Sequence, residues 1–193
     1  MRTATKRLSG VLALAAIVIG ITARAEESGV KRSTGDYVIP QVQLVRDDGT
    51  RVLLQNEFKD GKPVVVTFIF TTCTTICPLI SQTLVNLQRQ LGPERDRVHI
   101  ASISIDPEED TPSRLTAYSK ELHAGPEWHH YTGTMQSIIA TARAFKVYQG
   151  DKMAHTPVIF LRPEPEKPWV RFDGFATAGQ LLNEIRNQIA VAK

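Results

Sequence analysis

The sequence predicts an α/β domain in which a central mixed β-sheet is flanked by helices, with a β-hairpin on its N-terminal side. Three observations lead there. Val64 to Phe70 is an apolar run broken only by Thr67, rich in β-branched and aromatic residues, with the length and composition of a strand buried on both faces. Leu79, Ile80, Leu84, Leu87 and Leu91 follow at helical spacing. Beyond them, short apolar runs alternate with amphipathic stretches, the pattern of strands and helices packed in layers.

The elements follow in chain order. Arg2, Lys6 and Arg7 precede an apolar run, Val11 to Ile21, and Ala23-Arg24-Ala25 supplies a small-x-small cleavage signal, so residues 1–25 are read as a signal peptide, with a retained anchor as the alternative. Residues 26–35 are polar and read as a linker, and residues 36–193 as the folded domain. Tyr37 to Leu44 reads as a strand interrupted by Pro40. Asp47-Asp48-Gly49 is a hairpin turn signal, and Arg51 to Leu54 is the return strand. The central strand comes next, then a Thr-rich turn with both cysteines of the chain, Cys73 and Cys77. Pro78 is placed at the first helical position, where its missing N–H costs nothing, and that helix stops at Leu91-Gly92-Pro93.

Val98 to Ile105 is the next strand. Thr111 is the expected N-cap and Pro112 the first residue of a helix that buries Leu115, Tyr118 and Leu122. Glu121 to Gly133 is read as loop, and Gln136 to Phe145 as a helix with Ile138, Ile139, Ala142 and Phe145 inward. Val158 to Leu161 and Trp169 to Phe172 form a hairpin across the Pro163–Pro168 turn. Ala178 to Val191 closes the chain as a helix with Leu181, Leu182, Ile185 and Ile189 on one face. Strand–helix–strand–helix followed by a hairpin and a last helix is a thioredoxin-like order.

Charge narrows the partners. The chain carries 23 basic and 20 acidic residues. Four of the basic ones, Arg2, Lys6, Arg7 and Arg24, belong to residues 1–25, so the mature chain is nearly neutral. No basic patch argues for nucleic acid, and contact with a membrane is expected only through a target or a retained N-terminal segment.

The chemistry centres on Cys73 and Cys77. Pro78 disfavours helical dihedrals at Cys77, so both thiols are expected in the loop and cap rather than one turn apart on the helix. The positive end of the helix favours thiolate there. A disulfide closing a three-residue loop would add little through chain entropy. Structural zinc wants four protein ligands. Pro78, where haem attachment needs His, excludes that reading, and Phe70 stands where a peroxiredoxin needs Pro. Soft-metal binding and thiol–disulfide exchange both remain. In exchange, Cys73 is the expected attacking thiol by analogy with thioredoxin-like proteins, and Cys77 the resolving one.

The histidines divide. His99 and His123 are read as structural, and His129-His130 as a solvated loop beside Trp128 and a weaker second metal candidate. Asp106, Glu108, Glu109 and Asp110 form an acidic run read as helix-start electrostatics, with partner docking as the minority view. Thr71 and Thr72 are candidate donors to a thiolate. A lone His155 before a strand would ordinarily be a polar residue at an element end.

Six motifs change the weight of His155: F-x-F-T-x-C-x-x-x-C-P at Phe68–Pro78, S-I-D-P-E-E-D-T-P at Ser104–Pro112, L-x-x-Y at Leu115–Tyr118, T-G-T at Thr132–Thr134, A-F-K-V-Y at Ala144–Tyr148, and H-T at His155 before an apolar strand. Over about Asp36 to Ile189 the chain resembles the Sco family of copper-delivery proteins. The resemblance implies a thioredoxin-like fold and copper, as Cu(I) or Cu(II), held by Cys73, Cys77 and His155. It implies delivery to the copper-site subunit of a respiratory oxidase in cytochrome c oxidase assembly, with another copper chaperone or a thiol–disulfide reductase as a further partner. With export, the location is periplasmic or otherwise extracytoplasmic. The rival function is reduction of a target's copper-ligating cysteines. The chain departs from the family pattern at Ala154, where Asp is usual, at Thr74 and Thr75 inside the cysteine loop, and in a shorter Gln149–Ala154 segment.

Overall fold

The computed structural model describes residues 29–191, with side chains to residue 187. The expected signal peptide, residues 26–28 of the linker and the inward placement of Ile189 lie outside what is described. Eight strands form one mixed sheet: β1 (Lys31–Gly35), β2 (Gln43–Arg46), β3 (Arg51–Leu53), β4 (Val64–Ile69), β5 (His99–Ser104), β6 (Trp128–Gly133), β7 (Val158–Arg162) and β8 (Trp169–Asp173), in the order β1-β8-β7-β4-β5-β6-β2-β3. The helices are α1 (Leu54–Glu57), α2 (Ile76–Leu91), α3 (Pro112–Glu121), α4 (Met135–Ala144) and α5 (Ala178–Val191). Among the described residues no helix is long and apolar enough to cross a membrane.

Strand β4 is the axis. It is parallel to β5 and antiparallel to β7, and all six of its residues are buried. Its side chains serve two cores. Val65 joins Ile80, Leu84 and Leu87 of α2 and Leu181 and Ile185 of α5 on one face. Val64, Val66 and Phe68 join Ile138 and Ala142 of α4, with Phe145, Phe160 and Trp169, on the other. A strand covered on both sides must be apolar throughout, and the exception, Thr67, donates its hydroxyl to the carbonyl of Val158 at 3.0 Å.

Register then assembles one end of the sheet. Ile69 at the end of β4 lies beside Ser104 at the end of β5, and the Ile105 N–H bonds the Ile69 carbonyl at 2.9 Å. Strand β7 runs the opposite way, so its first residues start where β4 finishes. The loops after β4 and β5 and the segment before β7 therefore meet beyond the carboxyl ends of β4 and β5, the usual place for a site in an α/β sheet.

Most expected elements are present, including the Asp47-Asp48-Gly49 turn, with Gly49 at φ 84, and the Thr111 cap, whose hydroxyl accepts from the Arg114 N–H. Four expectations need correction. Residues 31–35 of the supposed linker are β1, paired along its length with β8. Its polar Lys-Arg-Ser-Thr-Gly suits a sheet edge that water reaches, but gives no apolar alternation. The hairpin begins at Gln43 rather than Tyr37, because residues 36–42 cross as coil and Tyr37 is drawn onto the rings of Phe145 and Phe160, with centroids 5.9 and 5.0 Å away. The Glu121–Gly133 loop ends in β6, where His129 and His130 are strand residues: His130 is fully buried and stacks on Trp128 at 5.3 Å. Finally, α2 starts at Ile76, so Cys77 is inside its first turn and Pro78 follows as the third helical residue. The first four N–H groups of a helix lack intrahelical acceptors, so proline is tolerated at any of them.

Candidate metal centre

Cys73, Cys77 and His155 are brought to the same end of the sheet by the three segments that meet there. Cys73 is in the turn after β4, its N–H bonded to the Phe70 carbonyl at 3.1 Å. Cys77, one helical turn on, is 1% exposed and packs with Ile69, Phe70 and Leu115. Both thiols are free, and the Cys77 N–H donates to the Cys73 Sγ at 3.3 Å. The helix thus presents its unpaired N–H groups to one sulfur and buries the other.

The two thiols are electrostatically unequal. Burial alone would raise Cys73. The Cys77 N–H, the Cys77 thiol and the N–H groups of Thr75 and Ile76 favour its thiolate and outweigh burial, so Cys73 ionises below the ordinary thiol value. Cys77 is pushed up to about 12, by burial first, then by hydrogen bonding to the Cys73 sulfur and by the charges of Cys73 and Asp110. Thiolate is the nucleophile, so iodoacetamide is expected to alkylate Cys73 in the native protein and spare Cys77 until unfolding. Its rate should rise with pH through a midpoint below that of free cysteine, because lower pH protonates the Cys73 sulfur. Equal labelling of both thiols in native protein near neutral pH would contradict this asymmetry.

His155 follows a 3-10 turn, Lys152–Ala154, three residues before β7. It is 6% exposed, and neither ring nitrogen has a hydrogen-bond partner among the described residues. Burial pushes it below the ordinary histidine value, so the ring is neutral, the form that binds metals. Buried nitrogens without partners are uncommon in folded proteins. His155 and Cys73 line one cleft of about 80 Å³, together with Phe70, Thr72, Thr74, Thr75, Ile76, Lys152 and Met153. Cys77 does not line it. Among the described residues no three His, Cys, Asp or Glu side chains stand close enough to hold a metal together. A soft thiolate and an orphaned imidazole suit copper, and closure of a three-donor set needs movement of the Cys73 turn or of the His155 segment.

The acidic run, read as helix-start charge, braces both loops. Asp110 is fully buried and accepts from the Thr71 N–H at 3.1 Å, from the Thr71 hydroxyl, and from the Ser104 hydroxyl at 2.6 Å. Thr71 is therefore committed to Asp110 rather than to a thiolate. Thr75 Oγ1 stands 4.0 Å from the Cys73 sulfur. Asp106, 5% exposed, pairs with Lys152 Nζ at 2.6 Å and so ties down the turn that carries His155. Ser104 joins the two braces, its hydroxyl accepting from the Asp106 N–H at 3.0 Å. A run of four acids in five residues shows no sign in sequence of which carboxylates are buried.

His129 and His130 lie away from this cleft, on β6. Their Nδ1 atoms stand 3.4 and 3.6 Å from Asp47. Burial raises the Asp47 carboxyl, but the two imidazoles beside it win and hold it well below the usual carboxylate range.

A family model described as SCO1/SenC matches residues 30–190. The chain is 31% identical over 142 residues to Protein SCO1 homolog 1, mitochondrial, of Arabidopsis thaliana, a match covering 68% of this chain and 40% of that protein. It is 33% identical over 105 residues to the SCO1 protein homolog of Bacillus subtilis, covering 54% of this chain and 53% of that one. The chain thus spans about half or less of the length of these two curated relatives. The crystal structure of Arabidopsis thaliana ScoI with copper bound superposes with a TM-score of 0.64 at 29% identity, covering 79% of this chain and 98% of that one.

Proposed function

The chain belongs to the SCO1/SenC family, and from that premise we propose that it binds one copper ion through Cys73, Cys77 and His155 and delivers it to the copper-site subunit of a respiratory oxidase. The observation that carries the reading is His155: a buried, neutral imidazole with both nitrogens unpartnered among the described residues, lining the same cleft as the lowered-pKa thiol Cys73. Thiolates suit Cu(I), imidazole accommodates Cu(II) as well, and a three-donor set with an open edge can release its metal by ligand exchange. Closure around copper draws His155 and the Cys73 turn together, with Asp110 and Asp106 keeping each near its place. Export by residues 1–25, as a cleaved signal or a retained anchor, puts the domain in the periplasm, where another copper chaperone or a thiol–disulfide reductase supplies or maintains it.

The inequality of the thiols favours a second reading, reduction of a target's disulfide. The Cys73 thiolate attacks one target sulfur and the other leaves as thiolate. Cys77 then gives up its proton and attacks the Cys73 sulfur, which ends as an internal disulfide while the target gains two thiols. Cys77 ionises more readily at that stage, because the Cys73 charge that opposed it is gone.

His155→Ala separates the two. It removes the nitrogen donor and leaves both thiols and the helix N-terminus. We expect the variant to lose Cu(II) binding and to lower oxidase copper content in cells, with partial rescue by added copper, while most of its thiol-reductase rate in vitro remains. Full oxidase assembly by His155→Ala at limiting copper, with failure of Cys73→Ser, would establish the reductase reading instead.

A further inference from the structure

We propose that Met153 is an additional copper donor, a thioether at the mouth of the cleft that holds Cu(I) jointly with Cys73 and His155 as the ion enters or leaves. This deepens the copper-binding reading and rests on it. Met153 lines the 80 Å³ cleft with Cys73 and His155 and is 74% exposed. Single exposed apolar side chains are ordinary. What separates Met153 from Leu79 or Phe175, which are also exposed, is its sulfur and its position two residues before a buried imidazole with no hydrogen-bond partner among the described residues.

The backbone under it is fixed. The Met153 N–H donates to Asp151 Oδ1 at 2.8 Å, and the preceding residue is held by the Lys152–Asp106 pair. The side chain has three rotatable bonds and a polarisable sulfur, so a rigid turn presents an adaptable donor. A thioether is soft, neutral and has no proton to lose, and it selects Cu(I) over harder ions. Cys77, 1% exposed and absent from the cleft wall, is the donor an incoming ion meets last. Thioether, thiolate and imidazole line the opening, so a copper ion can exchange one donor at a time rather than pass through water.

The test uses the full chain with [methyl-13C]methionine. Besides Met1, outside the described residues, the chain has Met153 and Met135; Met135, at the start of α4, lines a neighbouring cleft that Lys152 and His155 also border but Cys73 does not, and serves as the comparison methyl. Under reducing, anaerobic conditions, Cu(I) should shift the Met153 methyl resonance up to one equivalent and move Met135 less. Met153→Leu, which keeps bulk and apolarity, should fold normally and bind Cu(I) about tenfold more weakly in chelator competition, no more than loss of a supporting partner costs a metal site, because the thiolate and imidazole donors remain. The proposal requires both results. Stoichiometric Cu(I) uptake with an unmoved Met153 methyl, or with unchanged affinity in Met153→Leu, overturns it and leaves the copper reading intact. Failure of the unsubstituted chain to take up Cu(I) overturns both.

Discussion

Cys73→Ser protein, reduced and mixed with one equivalent of Cu(I), is expected to surrender its copper to a chelator concentration that leaves the unsubstituted chain loaded. The loss should exceed the roughly 10–100-fold that follows removal of a supporting partner around a metal, because the donor itself is gone. Serine is close to cysteine in size, and Cys73 lies at the half-buried wall of a cleft, so the fold should be unaffected. The change is chemical: a hard hydroxyl that stays protonated replaces a soft thiol already biased to thiolate by the Cys77, Thr75 and Ile76 N–H groups. Cys77→Ser should also lose copper, but by a mixed route. Its hydroxyl would enter the apolar cluster of Ile69, Phe70 and Leu115, where an unpaired polar group costs roughly 1–3 kcal/mol, so its melting temperature should fall while that of Cys73→Ser holds. Retention of full stoichiometry and affinity by Cys73→Ser would move the site elsewhere. The next place to look would be His129-His130, whose rings are engaged with Asp47.

The parts of this molecule that were legible in sequence are those where one physical demand fixes the residues. A strand covered on both faces must be apolar, so Val64–Ile69 declared itself. Thr111-Pro112 reads as a helix start because few other residues satisfy the free N–H groups and the fixed φ together. The Ala178–Val191 helix was visible from Leu181, Leu182 and Ile185. Where two demands compete, the pattern blurs. Strand β1 at the sheet edge has no buried face to advertise it. Strand β6 buries Trp128, His130 and Thr132, and histidine at an inward position disguises a strand as a loop. At the site, spacing placed Cys73 and Cys77 together, and the family resemblance added His155. The braces were not legible: Asp110 follows Ser104 by six residues and Thr71 by 39, a closeness created by parallel pairing of β4 and β5 that no local window contains. Nor was the single cleft that joins Cys73, Met153 and His155, because it depends on β7 running against β4.

Asp110→Ala is expected to damage both stability and site, although Asp110 is not itself a proposed copper ligand. The carboxylate is fully buried and receives three donors, the Thr71 N–H, the Thr71 hydroxyl and the Ser104 hydroxyl. Removing it strands them. Each buried group left without a partner costs roughly 1–3 kcal/mol, and Thr71, half-buried, can recover water in part, so the total should be about 2–4 kcal/mol in urea unfolding. Asp110→Asn keeps the shape but offers one acceptor oxygen where two were used, and should cost less. The functional effect runs along the chain. Thr71 is two residues before Cys73, in the turn that delivers the thiol to the N–H groups of α2, and with its anchor gone the Cys73 sulfur samples positions away from the Cys77 N–H. Two readouts at temperatures where the variant is still folded separate this from simple loss of stability: the alkylation midpoint of Cys73 should rise toward that of free cysteine, and Cu(I) affinity should fall by roughly 10–100-fold, the range seen when a metal ligand loses its orienting partner. A distant substitution of similar cost, Leu87→Ala in the α2–α5 core, should lower the melting temperature comparably and leave both readouts alone. Should Asp110→Ala and Asp110→Asn fold with an unshifted Cys73 midpoint and unchanged copper affinity, the turn keeps its geometry without the brace and the carboxylate serves the fold alone.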